Sequence, residues 1–133
     1  MDRPFLRHQL DLLATVGVRE IVFSVAYRPE RIHAVFGDGS AFGVRIHYAV
    51  EETPLGTGGA VRNALPHLDE RTLVLNGDVW MQYPFADLRE RYAQGLPGRD
   101  QAHLVLVPNP EHNRQGDFAF DAGRMIECVP GTA

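Results

Sequence analysis

The sequence predicts an α/β fold built on a doubly wound, mainly parallel sheet. Helix-period and strand-like segments alternate through residue 107. Most strand-like runs are short and β-branched, as expected for strands covered on both faces. Glycine or proline stands at most of the junctions between segments.

The first segment, residues 5–16, places Leu6, Leu10, Leu13 and Val16 close to helical spacing, and Gly17 follows as a helix stop. Residues 20–26 (EIVFSVA) read as a buried strand. Pro29 suits the first position of a second helix, with Ile32, Val35 and Phe36 expected inside; the run from Gly37 to Ser40 ends it. Val44, Ile46, Tyr48 and Val50 alternate as in a strand. A glycine-rich turn is expected over 55–59 and a short helix over 60–65. Residues 72–76 (TLVLN) and 102–107 (AHLVLV) read as further strands, separated by a helix over 85–94 that carries Leu88 and Tyr92 on one face. Residues 117–120 and 124–128 read as a strand pair around the tight-turn sequence Asp121-Ala122-Gly123.

With 133 residues, 44% of them apolar, the chain fits one folded domain with a moderate core. The formal net charge is −4 and the cations are scattered, so neither nucleic acid nor an anionic membrane is expected as a partner. No apolar run reaches membrane-spanning length and the first residues lack a signal-peptide layout, which makes a cytoplasmic location the expectation. The single cysteine, Cys128, has no partner for an internal disulfide and no sequence neighbour to activate it as a nucleophile. The six histidines form none of the close pairs that zinc sites use.

In a doubly wound sheet, ligands sit beyond the carboxyl ends of the strands. Two motifs fall there. Asn76-Gly77-Asp78 follows TLVL and would hold a hard oxygen donor of the kind Mg²⁺ takes; taken alone, the tripeptide reads first as ordinary turn chemistry. The run from Glu51 to Ala60 (EETPLGTGGA) could offer free backbone N–H groups to an anion or a base edge. It could also be a plain strand-to-helix loop capped by Thr57. It lacks the lysine of a P-loop and the Rossmann glycine spacing. Trp80, beside the second motif, reads as a core or rim residue.

These motifs, taken in order, resemble the sugar-1-phosphate nucleotidyltransferase family: RPFLRHQL near the start, FGDGSAFGV, EETPLGTGGA and LNGD. NGDVW, HLVLVPNP and Gly116-Asp117-Phe118 look most like its uridylyltransferase branch acting on an N-acetylated sugar 1-phosphate. The resemblance implies transfer of a nucleotidyl group, with UTP favoured as donor, to a sugar 1-phosphate, with Mg²⁺ as cofactor. By carry-over Asp78 is catalytic and binds the metal, Glu51, Gly56, Thr57 and Gly58 lie by the nucleotide, and Asn76, Asn109 and Asp117 lie by the sugar or its phosphate. Gln82 and Pro84 stand where acidic residues are expected in the uridylyl branch, and Gly56 suits guanylyltransferases for mannose or heptose phosphates as well. A non-catalytic nucleotide-sugar-binding module is the reading from another class.

The resemblance also implies a partial domain over 1–133 with a Rossmann-like fold. The family's first strand and triphosphate-gripping glycine loop would precede this segment, and a second metal-binding Asp would follow it. That first strand is central in such a sheet. A strand-wide gap between EIVFSVA and TLVLN is therefore expected, and with it marginal stability and no turnover for residues 1–133 by themselves.

Overall fold

A computed structural model describes residues 3–116 and 118–128, apart from the side chains of Phe120 and of residues 126–128. Its contacts divide the chain into two units, one ending at Gly95 and one starting at Leu96.

In the first unit, helix α1 (Phe5–Thr15) leads into strand β1 (Glu20–Val25), helix α2 (Pro29–Phe36), strand β2 (Arg45–Val50), helix α3 (Gly56–Ala64) and, after a 3-10 turn (Leu65–His67) and irregular chain, helix α4 (Phe85–Arg91). The apolar spacing of the first segment becomes an amphipathic α1 that buries Leu10 and Leu13. Pro29 opens α2 as its fixed φ favours. β1 and β2 pair in parallel from Glu20 opposite Arg45 to Val25 opposite Val50, with α2 crossing between them.

Side chains alternate across these two strands, so each face has its own cover. Ile21, Phe23, Ile46 and Tyr48 pack with Leu10 of α1 and Phe36 of α2, and the Phe23 ring meets Phe36 edge-on at 5.5 Å. The Tyr48 hydroxyl donates to Gly37 O at 2.7 Å, tying β2 to the end of α2. Helix α3 also packs on both strands. Ala49 and Ala64 are buried, and His47 stacks on His67 at 5.2 Å while standing 3.2 Å from a Glu20 carboxylate oxygen.

Four expectations are corrected here. β1 is half-buried rather than fully buried, and among the described residues only β2 stands beside it. Val35, expected inside, is exposed. The glycines expected in a turn begin α3 instead, which runs four residues further toward the N-terminus than expected. Residues 72–76 form no strand: they make no ladder among the described residues, and Leu73 and Val74 are exposed. A strand exists only through a neighbour that takes its N–H and C=O groups, and among the described residues none stands beside 72–76. A cleft of about 830 Å³ is lined both by β1 and by residues 71–78, with Leu6, Leu10 and Leu13 of α1 and Ala60, Val61 and Ala64 of α3.

In the second unit, residues 102–107 likewise form no strand, and Leu104 to Val107 are exposed. Strands β3 (Phe118–Asp121) and β4 (Arg124–Cys128) form an antiparallel hairpin, with Ala122 and Gly123 at positive φ as a two-residue turn of this hand requires. The parallel two-stranded sheet with helices is thus an α/β arrangement; no third strand joins it among the described residues.

Candidate functional site

The two parallel strands end together, and the chain leaves β2 at Glu51. This is the edge at which α/β sheets bind ligands. Glu51 is only 9% exposed, and both of its carboxylate oxygens are engaged. Ser24 Oγ, on β1, donates to Oε1 at 2.7 Å, and the backbone N–H of Leu55 donates to Oε2 at 2.9 Å. These two bonds, the Ser24 hydroxyl first, hold the carboxyl below the usual glutamate range. Glu51 therefore ties the carboxyl end of β1 to the residue that precedes α3. Ser24 carried no signal in the sequence, because the pairing depends on the register of two strands 27 residues apart.

α3 starts at Gly56, whose φ of +68° is the left-handed conformation that glycine adopts freely. No side chain caps the helix; Leu55 occupies the cap position, and Thr57 lies inside the first turn rather than capping it. The first N–H groups of a helix lack intrahelical partners. Gly56 and Thr57 line the cleft together with Glu51; Gly58, in the same turn, is exposed and is not part of the lining.

Residues Asn76 to Asp78 line the same cleft. Asn76 and Val79 close a turn, with Val79 N–H reaching Asn76 O at 3.5 Å. The Gln9 side-chain amide on α1 donates to both Asn76 O and Val79 O at 3.0 Å. Asp78 is exposed, and no described cation pairs with its carboxylate. Trp80 is 61% exposed and meets Phe5 and His8 edge-on, which places it on the rim of α1 rather than in a core.

Asn109 belongs to the second unit. Its side-chain amide donates to Arg114 O at 3.0 Å, and it packs on Gly116, where a Cβ would lie 2.5 Å from Asn109 Oδ1. Gly116, at φ +70°, is thus required twice over. Asp117 lies outside the described residues, as does the side chain of Cys128.

Of the expected site residues, one cleft therefore gathers Glu51, Gly56, Thr57, Asn76 and Asp78. A nucleotidyl transferase family model matches residues 1–128. The chain belongs to the nucleotidyl transferase family. It is 44% identical over 128 residues to a mannose-1-phosphate guanylyltransferase of Mycobacterium tuberculosis, covering 96% of this chain and 32% of that protein. It is 40% identical over 120 residues to an N-acetylmuramate alpha-1-phosphate uridylyltransferase of Neisseria meningitidis, covering 89% of this chain and 52% of that protein. It is 30% identical over 126 residues to a D-glycero-alpha-D-manno-heptose 1-phosphate guanylyltransferase of Aneurinibacillus thermoaerophilus, covering 94% and 53%. The chain spans a third to about half the length of these relatives. No helix among the described residues is long and apolar enough to cross a membrane.

Proposed function

We propose that the protein carrying this chain transfers a nucleotidyl group from a nucleoside triphosphate to a sugar 1-phosphate, releasing pyrophosphate. The observation that carries this reading is the meeting of Glu51, Gly56 and Thr57 with Asn76 and Asp78 around one cleft, in a nucleotidyl transferase chain. In the reaction an oxygen of the sugar phosphate attacks the α-phosphorus in line. One P–O bond forms and the bond to pyrophosphate breaks, so positioning and charge neutralisation do most of the catalysis.

The N–H groups that open α3 suit the polar edge of the nucleotide, and Glu51 fixes the approach of the chain to them. Asp78 fits a magnesium site: it is a hard carboxylate open to the cleft and unpaired by any described cation. Among the described residues no group of three or more potential ligands exists, so the ion would take this one carboxylate here and fill its shell with phosphate oxygens and water. Bound Mg²⁺ supplies positive charge to the transferring phosphate. Asn76, and Asn109 and Asp117 of the later segment, are assigned to the sugar or its phosphate by family resemblance.

For the donor base and sugar, the NGDVW motif favours UTP with an N-acetylated sugar such as N-acetylmuramate 1-phosphate, as in the Neisseria relative. The guanylyltransferase relatives support GTP with mannose or heptose 1-phosphate equally. Pyrophosphate release by the full-length protein, measured for all four nucleoside triphosphates against these sugar phosphates, tests both levels. The expected result is Mg²⁺-dependent turnover with UTP or GTP and a marked preference for one sugar. Binding of a nucleotide sugar without turnover of any pair would replace the enzyme reading with a binding module.

A further inference from the structure

We infer that Gln9 is a positioning residue for the Asp78 turn. The inference rests on the reading of Asp78 as the metal-binding carboxylate. An exposed turn whose own closing hydrogen bond is weak is poorly held by its own backbone. The closing bond of the Asn76–Val79 turn is long, at 3.5 Å. What fixes the turn comes from α1, 67 residues away in sequence. A primary amide nitrogen carries two hydrogens. Gln9 Nε2 directs them to the carbonyls of the first and last residues of the turn, each at 3.0 Å.

Asp78 sits between those two carbonyls in the chain, so both ends of its peptide segment are clamped while its side chain is left open to the cleft. Leu6, one turn of α1 earlier, supplies the floor: a Cβ added at Gly77 would meet Leu6 Cδ2 at 3.4 Å. Gln9 itself is half-buried on α1, between Leu6 and Leu13, and lines the same cleft.

The requirement is for two donors on a long stem. Gln9→Leu removes both donors at similar volume. Gln9→Glu keeps the shape but turns acceptor against acceptor at neutral pH. Gln9→Lys restores donors that can reach both carbonyls. In the metal-free full-length protein, amide hydrogen exchange over residues 77–79 is expected to speed up on the order of tenfold in Gln9→Leu and Gln9→Glu, with β1 and β2 unchanged and partial recovery in Gln9→Lys. Turnover should fall on the order of tenfold or more in the first two variants, with a higher Mg²⁺ concentration at half-maximal rate and little change in the KM for nucleotide.

Unchanged exchange at 77–79 would overturn the inference, as would faster exchange with wild-type turnover and Mg²⁺ dependence. A uniform loss of protection across β1 and β2 in all three variants would make Gln9 a general stabilising residue and overturn it too. Asp78→Asn separates this from the underlying reading: full activity in that variant removes the metal assignment, while the exchange pattern still judges the clamp.

Discussion

Leu10 joins the fold to the site, and its truncation gives a quantitative test of how. The side chain is 2% exposed, packs with Phe36, Val44 and Ile46, and also lines the cleft. Leu→Ala substitutions in cores cost about 2–5 kcal/mol, the larger values where the cavity cannot relax. At Leu10 the open cleft lets water and neighbouring side chains enter the space, which places the cost in the lower half, about 2–3 kcal/mol. For a unit of this size each kcal/mol lowers Tm by roughly 4–8 °C, so Leu10→Ala should melt roughly 8–24 °C lower. Leu12→Ala, on the exposed side of the same helix at 36% exposure, controls for helix propensity and should lie within about 1 kcal/mol of wild type. Denaturant unfolding followed by circular dichroism gives both values. A Leu10→Ala cost no greater than that of Leu12→Ala would refute the packing of α1 described here.

Two further predictions concern charge and edges. Ser24→Ala removes the main cause of the depressed Glu51 carboxyl, so its pKa should rise toward 4.5, as read from its carboxyl carbon shift by NMR. A group depressed on folding contributes stability above its unfolded pKa that is lost as pH falls through the folded value; the Glu51 share of acid sensitivity should therefore shrink in Ser24→Ala, and an unmoved titration contradicts the assignment. The chain should self-associate through the exposed 72–76 segment, which makes no ladder among the described residues, and Val74→Lys should reduce that association in sedimentation without lowering stability. A stable monomer with measurable turnover would instead show that the open cleft is tolerated.

Much of the first unit was legible because its signals are local. The periods of α1 and β2 and Pro29 at the start of α2, like the Ala122-Gly123 turn of the second unit, each settle a few residues regardless of the rest of the chain. The readings that failed depended on neighbours. Residues 72–76 and 102–107 have strand composition, but composition supplies no partner for their backbone groups. In α3, glycine suggested a loop, yet Leu55 and Glu51 set the helix start one residue after Leu55. At the site, Glu51 and Asp78 were singled out by the family resemblance of the motifs that carry them. Ser24 and Gln9, the residues that hold them, are ordinary in sequence and gain meaning only from contacts 27 and about 70 residues away.

The central claim is that the cleft at Asp78 is where a nucleotidyl group is transferred, and Asp78→Asn in the full-length protein tests it most directly. The substitution keeps size and hydrogen-bonding shape while removing the negative charge. Initial rates of pyrophosphate release, measured across a Mg²⁺ series with the preferred nucleotide and sugar phosphate, should fall on the order of a hundredfold or more. Nucleotide affinity should change far less, because Glu51 and the start of α3 are untouched. A variant with the wild-type rate and the wild-type Mg²⁺ dependence would contradict the account.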